Sequence, residues 1–259
     1  MSEVLVDIHE SVATVTLDRP EVKNAINWAM VDALTDAGRR LARDPDVRAV
    51  VITGADGVFC SGIDVTTFAG EGGEFEPVFA QVARFQRAFD VFEELGCPVI
   101  AAVEKYCYGA GFQLAIACDL RVIADGAQLS VMETKWGIIP DLGATTRLPR
   151  LIGLSRAKDL AMTARIIDAD EADHLGLADR RTPEGGALKT ATELARELAA
   201  GPPLAIGGIK RLMNSSFDST VRQGLEREQA VQRRVLASRD FTEAVAARFE
   251  KRKPRYEGK

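Results

Sequence analysis

The chain has 259 residues, 46% of them hydrophobic, and a formal net charge of −5. This length and apolar content predict one large core, with one main domain and an appendage. The negative charge argues against a nucleic-acid-binding protein, which presents clustered Lys and Arg on one face. The N-terminus lacks a basic start followed by a long apolar stretch, and no apolar run approaches the roughly 20 residues of a membrane helix, so we expect a cytoplasmic protein without a membrane segment.

The cysteines and histidines are too scattered to form a typical metal site. No pair among the four cysteines has C-x-x-C spacing, and neither histidine lies near any of them in the sequence. We therefore expect neither a metal site nor a disulfide framework, as in a reducing compartment.

The first half of the chain alternates strand and helix patterns. Short β-branched runs predict strands at residues 4–8 and 12–17, and apolar positions at helical spacing predict a helix from Asn27. An apolar run predicts a buried strand at residues 48–53. These elements form the first strand-helix-strand unit.

Two more units follow. An amphipathic stretch at 77–95 precedes an apolar strand at 99–103, and a helix at 112–118 precedes a strand at 120–124. Such alternation predicts an α/β fold with a parallel sheet covered by helices. Strand patterns stop near Leu188, so we divide the chain into a core, 1–195, and a helical C-terminal region, 196–259.

Two glycine-bearing loops follow predicted strands, at residues 54–64 and 106–111. Glycine permits close backbone approach, and Gly109-Ala110-Gly111 directly precedes a predicted helix. The free N–H groups of a first helical turn make an anion site. Taken alone, each loop is weak evidence for a site, because glycines at strand-to-helix junctions usually serve turn geometry.

Two carboxylates, Glu133 and Asp141, lie eight residues apart and could take and return a proton at one pocket. Structural roles are open to both. Asp141 follows a proline and could cap a helix, and Glu133 could pair with Lys135 or Arg147 at the surface.

Three segments together resemble the crotonase (enoyl-CoA hydratase/isomerase) superfamily, and the resemblance extends across nearly the whole chain. The run from Leu17 to Ala25 is similar to the family's first CoA-binding segment. Phe59 to Asp64 and Gly109 to Gly111 are similar to its two oxyanion loops. The resemblance implies a crotonase-like spiral of ββα units whose helical C-terminal region builds homotrimers or hexamers.

The resemblance also implies an acyl-CoA thioester substrate and no further cofactor. The backbone N–H groups of Ile63 and Ala110 are then expected to bind the thioester oxygen. The residues expected to contact CoA lie in the first CoA-binding segment, the oxyanion loops and the charged tail: Lys23, Ala25, Ser61, Ile63, Asp64, Gly109, Ala110, Tyr256 and Lys259.

The chain departs from the hydratase pattern at two positions. Hydratases of the family carry glutamates at the positions of both Gln113 and Glu133, and a neutral amide cannot accept a proton. Asp141 falls where dienoyl-CoA isomerases carry an aspartate. We therefore expect double-bond isomerisation by Glu133 and Asp141.

Two alternatives stay open. One is a hydratase that uses Glu133 alone, with Gln113 orienting the water. The other is a non-catalytic CoA-binding member of the family. Whether the protein is an isomerase or a hydratase, we expect the loop at residues 66–82 to shape the acyl pocket. Apolar neighbours such as Trp136, Phe68 or Leu142 would raise the pKa of the base.

Overall fold

The computed structural model describes residues 2–68 and 78–259, and its strands build two sheets. The strands in these residues are β1 (Val4–His9), β2 (Val12–Leu17), β3 (Ala49–Gly54), β4 (Val99–Val103), β5 (Tyr106–Tyr108), β6 (Leu120–Ala124), β7 (Gln128–Ser130), β8 (Ile167–Asp168) and β9 (Arg180–Thr182). The larger sheet has the order β1-β2-β3-β4-β6-β9, and the smaller has β5-β7-β8. Among the described strands of the larger sheet, β1 and β2 pair in antiparallel fashion and the other neighbours pair in parallel.

Helices cover both faces of the larger sheet and form the C-terminal region. Those in the described residues are α1 (Trp28–Leu41), α2 (Val78–Glu93), α3 (Ala110–Ala117), α4 (Ala144–Ile152), α5 (Leu154–Thr163), α6 (Ala169–His174), α7 (Ala187–Ala199), α8 (Pro203–Asn214), α9 (Val221–Leu236) and α10 (Arg239–Glu250). None of them is long and apolar enough to cross a membrane. The predicted α/β fold is confirmed.

Alternating side chains of the parallel strands enter two separate cores. On one face, Val50 and Ile52 of β3 join the large core that includes Phe89 of α2. On the other face, Ala49 and Val51 pack with α7. Because side chains of a strand point to alternate faces, a strand buried on both sides reads as one continuous apolar run.

The two glycine-bearing loops lie at the edge of the larger sheet where its parallel strands end. The chain leaves β3 at Gly54 and β4 at Val103, and both following loops run side by side. Phe59 N–H donates to the Glu104 carbonyl at 2.9 Å, and Tyr108 N–H donates to the Cys60 carbonyl at 3.0 Å. The fold thus brings the two glycine-bearing loops together, as expected when parallel strands end at one edge.

The C-terminal region is helical, as predicted, and α9 has no buried residue in the single chain. The predicted division between residues 195 and 196 falls inside α7, which packs on the sheet. The division into two domains therefore stays a prediction.

Candidate active site

The first glycine-bearing loop is tied to the predicted CoA-binding segment by backbone hydrogen bonds. Ser61 N–H donates to the Lys23 carbonyl at 3.0 Å, and Ile26 N–H donates to the Gly62 carbonyl at 2.8 Å. Asp64 N–H donates to the Ile26 carbonyl at 2.9 Å. Three predicted CoA contacts, Lys23, Ser61 and Asp64, are therefore neighbours. The Lys23 ammonium also lies 4.8 Å from the ring centre of Tyr106.

Arg19 holds this loop through hydrogen bonds of its side chain, a role that the sequence did not indicate. Its guanidinium donates to the Ala25 carbonyl at 2.7 Å and to Asp64 Oδ2 at 3.0 Å. A hydrogen bond from the Thr66 hydroxyl lowers the pKa of Asp64, and Arg19 acts in the same direction. Arg19 thus links the predicted CoA-binding segment at Ala25 to Asp64, the residue that follows Ile63.

The second loop passes over Cys60 and turns into α3 at a glycine. Cys60 N–H donates to the Tyr106 carbonyl at 2.8 Å. Gly109 has φ 50° and ψ −117°, a conformation closed to residues with a Cβ atom. A Cβ built there would lie 3.4 Å from Glu133 Oε1 and 4.0 Å from the Gly62 Cα. The turn therefore lets both loops approach the Glu133 carboxylate.

The two expected oxyanion donors have no acceptor in the part of the protein that the structure describes. Within residues 2–68 and 78–259, neither the Ile63 N–H nor the Ala110 N–H donates a hydrogen bond. Ala110 is the first residue of α3, where N–H groups lie beyond the helical hydrogen-bond ladder. Two free donors on touching loops can bind an oxygen that carries negative charge.

Glu133 is buried beside these loops, and one of its oxygens has no partner. Oε1 accepts a hydrogen bond from Gln113 Nε2 at 2.7 Å, whereas no group among the described residues binds the buried Oε2. Burial raises the pKa of Glu133. Its own backbone N–H and the Gln113 amide oppose the rise, and the charge of Asp141 adds to it. An unpaired buried carboxylate oxygen with a raised pKa is suited to accept a proton.

Gln113 is completely buried, and the backbone fixes the orientation of its amide. Its Oε1 accepts from the N–H groups of Leu142, at 2.9 Å, and Ala144, at 3.1 Å. Its Nε2 therefore points to Glu133. An amide held in this way offers the site N–H groups and no acceptor.

Asp141 is half-buried near Glu133. Burial raises its pKa, and its own backbone N–H partly opposes the rise. Its charge also raises the pKa of Glu133, because the two carboxylates repel each other. Two carboxylates with raised pKa values at one site can exchange a proton.

The structural roles considered for the two carboxylates are wrong. The residue that precedes α4 is Gly143, and no side chain caps that helix. Glu133 is buried, and Arg147 pairs instead with Asp90 and Glu93 of α2. Both carboxylates are therefore left for the site.

The expected apolar neighbours of the base are placed unequally. Leu142 is buried in the large core, but the Trp136 side chain is 67% exposed in the single chain and does not bury the carboxylates. The Phe68 side chain and residues 69–77 of the expected acyl-pocket loop lie outside the described residues.

The tail residues lie at the opposite edge of the sheet. Glu257 and Gly258 N–H groups donate to the Asp240 carboxylate, and Lys259 lines a cleft with the segments that enter β3 and β4. The oxyanion loops follow the ends of the same strands. Within one chain, the structure does not bring Tyr256 and Lys259 to the other predicted CoA contacts.

Known proteins match both the sequence and the fold. The family model for enoyl-CoA hydratase/isomerase matches residues 7–259. A relative from Mycobacterium leprae named "Probable enoyl-CoA hydratase" is 37% identical over 98% of this chain and 97% of its own. The mouse protein named "Methylglutaconyl-CoA hydratase, mitochondrial" is 34% identical over 96% of this chain and 81% of its own.

A solved structure has the same fold as this chain. The enoyl-CoA hydratase from Bacillus anthracis has a TM-score of 0.95 and 33% identity, and the match covers 99% of this chain and 100% of that one. The fold and its paired loops define an acyl-CoA enzyme. The chain belongs to the enoyl-CoA hydratase/isomerase family, the crotonase superfamily, and the predicted resemblance is confirmed.

Proposed function

We propose that the protein moves the double bond of an enoyl- or dienoyl-CoA by proton transfer between carbon atoms. With a 3-enoyl-CoA, Glu133 Oε2 takes a proton from C2, and the C–H electrons pass to the thioester oxygen as a dienolate. The N–H groups of Ile63 and Ala110 donate to that oxygen, where charge develops. A proton then reaches C4, the C2–C3 bond becomes double and the carbonyl re-forms.

Asp141 is the proposed source of the second proton. Burial raises the pKa of both carboxylates, and their mutual repulsion favours a state in which one is protonated. The proposed cycle starts from the state in which Glu133 is ionised as the base and Asp141 is protonated as the acid, whereas the charge of Asp141, which raises the pKa of Glu133, favours the reverse state in the free protein. After C4 is protonated, a proton passes from Glu133 to Asp141 and restores the starting state. The cycle uses proton transfer alone.

The observation that carries this assignment is the fixed amide of Gln113. Adding water across a double bond is favoured by two groups that accept protons on either side of the water. Here the Gln113 oxygen is occupied by two backbone N–H groups, and its nitrogen faces Glu133. Of the pair Gln113 and Glu133, only Glu133 can then accept a proton.

Paired assays of the purified protein test the assignment. Crotonyl-CoA, a 3-enoyl-CoA and a 3,5-dienoyl-CoA are followed at the absorbance of the conjugated enone or diene, with Glu133→Gln and Asp141→Asn alongside. We expect conversion of the 3-enoyl or 3,5-dienoyl substrate, little hydration of crotonyl-CoA, and loss of activity in both variants. Rapid hydration of crotonyl-CoA with a harmless Asp141→Asn would overturn the assignment.

Hydration is the second candidate, and the printed names of the relatives support it. In this reaction Glu133 alone handles the proton and Gln113 donates an N–H to the water. The two candidates differ at Asp141, because hydration makes no use of it. A family member without catalysis would convert none of the three substrates and would bind an acyl-CoA equally well with both carboxylates removed.

We also propose that the helical C-terminal region joins copies of the chain into a homotrimer or hexamer. Large apolar side chains are exposed there in the single chain, with Val221 at 82% and Phe249 at 83%. Light scattering after size exclusion would give three or six times the chain mass. Replacing Val221 and Leu225 with glutamate is expected to reduce that mass, and a monomeric wild type would contradict the proposal.

The CoA part of the substrate is proposed to lie along the surface that includes Lys23 and Ser61, beside the oxyanion loops. Lysine acts as a point charge toward phosphate. Lys23→Ala is expected to raise KM for every acyl-CoA and leave kcat unchanged. An unchanged KM would remove Lys23 from the binding site.

A further inference from the structure

The turn from Asp141 to Ala144 carries one of the two carboxylates and holds the other through Gln113. Leu142 and Ala144 donate their N–H groups to Gln113 Oε1, and Gln113 Nε2 donates to Glu133. Any shift of the turn therefore moves Asp141 directly and Glu133 indirectly. What fixes the turn also fixes the distance between the two proton-transfer groups.

The carbonyl groups of the same turn are held by Gln86 of helix α2 and by Arg147, which α2 binds. Gln86 Nε2 donates to the Asp141 carbonyl at 2.6 Å, and Arg147 Nη1 donates to the Leu142 carbonyl at 3.1 Å. Arg147 is in turn bound by α2, where Nη2 donates to Asp90 Oδ1 at 2.7 Å and Nε donates to Glu93 Oε2 at 2.9 Å. The turn is thus held on its N–H side by Gln113 and on its carbonyl side by α2.

Gly143 shows how closely the guanidinium passes the turn. The residue has φ 105°, and a Cβ atom built on it would overlap the Arg147 guanidinium. Arg147 reaches the Leu142 carbonyl across the space that a side chain at position 143 would fill. The fork of the guanidinium can bind this carbonyl and the two acids together, which a lysine ammonium cannot do with the same geometry.

We propose that Gln86 and Arg147 are positioning residues for the proton-transfer pair. They set the place of Asp141 through its own backbone, and the place of Glu133 through the turn and Gln113. This role rests on the proposed use of Glu133 and Asp141. Neither residue needs to touch the substrate, so both act on the chemical step rather than on binding.

Enzymes in which a catalytic group is displaced by about 1 Å can lose about 100-fold in rate. We therefore expect Gln86→Leu and Arg147→Met to lower kcat by about 10- to 100-fold, with KM changed less than about twofold. The conservative Arg147→Lys keeps the charge and is expected to restore part of kcat. Arg87→Met is the matched control, because Arg87 lies on α2 and pairs with Glu94 at the surface.

A pH profile separates positioning from general loss of stability. The Gln113 amide opposes the raised pKa of Glu133, so a displaced turn weakens that opposition. The ascending limb of kcat/KM should therefore move to higher pH in Gln86→Leu and stay in place in Arg87→Met. Circular dichroism and thermal unfolding establish that each variant is folded at the assay temperature.

The assay is exchange of the C2 protons of butyryl-CoA in D2O, which reports proton removal by Glu133 whether the full reaction is isomerisation or hydration. Gln86→Leu is also combined with Asp141→Asn. If Gln86 acts through that carboxylate, its removal costs less in the Asp141→Asn protein than in the wild type. Additive losses would show that Gln86 acts through Glu133 and not through Asp141, and a folded Gln86→Leu with unchanged exchange and pH profile would overturn the positioning role.

Failure of the proposed function gives assay results that differ from those of a failed positioning role. A wild-type protein that exchanges the C2 protons but hydrates crotonyl-CoA instead of isomerising would remove the isomerase assignment and leave the positioning of Glu133 in place. A wild type without exchange would remove both. Hydrogen exchange of the Leu142 and Ala144 amides then gives a separate readout. Unchanged protection of these amides in Gln86→Leu would show that Gln86 does not hold the turn.

Discussion

Glu133 combines burial, one firm hydrogen bond and one oxygen without a partner. The sequence indicated this residue through its resemblance to a family, because two carboxylates eight residues apart are by themselves typical of many surface segments. It could not show how Gln113 is used. The backbone N–H groups that hold the Gln113 oxygen come from a turn about thirty residues away, and no local pattern predicts such a contact.

Replacing Glu133 with glutamine is expected to lower kcat by about 100- to 10,000-fold, because a general base is lost. The same change should stabilise the fold at pH 7.5. Burial raises the pKa of Glu133 in the folded state, so the wild type loses stability as pH rises from the usual glutamate pKa through the raised value. Urea unfolding at pH 7.5 and pH 4 measures this effect.

The advantage of the glutamine variant should therefore shrink as pH falls toward 4, where Glu133 is protonated in both states. A constant advantage at both pH values would contradict the link to ionisation. Asp7→Asn, at an exposed position of β1 remote from the site, is a control for the loss of one negative charge.

The substitution Gln113→Glu should shift the reaction toward hydration. The Leu142 and Ala144 N–H groups can hold a glutamate oxygen as they hold the amide oxygen. The second oxygen would then take the place of the Gln113 nitrogen, 2.7 Å from Glu133 Oε1 in the present structure. Two carboxylates so close share a proton and supply two acceptors for a water.

We expect at least a tenfold gain in the ratio of crotonyl-CoA hydration to 3-enoyl-CoA isomerisation, or about 1.4 kcal/mol. Both rates are measured on one preparation, with Ala83→Glu as a control for a negative charge added at an exposed position of α2. An unchanged ratio would mean that the neutral amide does not limit hydration.

The longer elements were predictable because their apolar spacing repeats. The strand at residues 12–17 and the strand at 99–103 agree with β2 and β4, and Asn27 precedes α1 and accepts the Met30 N–H. The short strands β5, β7, β8 and β9 have two or three residues each, too few for a pattern to appear. Their pairing depends on contacts distant in sequence.

Helix α7 illustrates a packing feature that a helical pattern alone does not reveal. Its buried positions are four alanines spaced four residues apart, which let the helix lie close on the sheet. Ala191→Leu is expected to lower the free energy of unfolding by about 1–3 kcal/mol, because added methyl groups have no space. Urea unfolding measures the change.

The exposed neighbour Glu193 supplies the comparison on the same helix, since Glu193→Leu adds an apolar side chain that faces solvent. It should change the free energy of unfolding by less than about 0.5 kcal/mol. Equal losses in the two variants would mean that helix propensity or surface charge, and not close packing, explains the effect.

At the scale of the whole molecule, a buried ion pair joins the C-terminal helices to the core. Lys210 of α8 lies 2.7 Å from Asp119 Oδ2 and donates to the Cys97 carbonyl at 3.0 Å. Both partners belong to segments that sequence patterns describe only as a helix and a strand boundary. The contact between them depends on how the elements assemble.

Replacing Lys210 with methionine leaves the Asp119 carboxylate without its cation. Breaking one side of a buried pair costs about 3–5 kcal/mol. Burial already raises the pKa of Asp119, and Lys210 opposes the rise, so the variant should regain stability as pH falls and Asp119 is protonated. Urea unfolding at neutral and acidic pH measures the loss and the regain.

Removing both charges should cost less than removing one. Lys210→Met with Asp119→Asn leaves an amide that still accepts the Val99 N–H, now bound by Asp119 at 2.7 Å. If the single and double variants are equally unstable, the charge left behind is not the cause of the loss.

The pair of backbone N–H groups that holds the Gln113 oxygen also has an evolutionary consequence. Its two N–H groups bind an oxygen, and glutamine and glutamate present an oxygen there with the same shape. Codons for these two residues differ by a single base. We therefore expect that a lineage carrying this scaffold can change its reaction preference by one point mutation, without first rebuilding the fold around the new side chain.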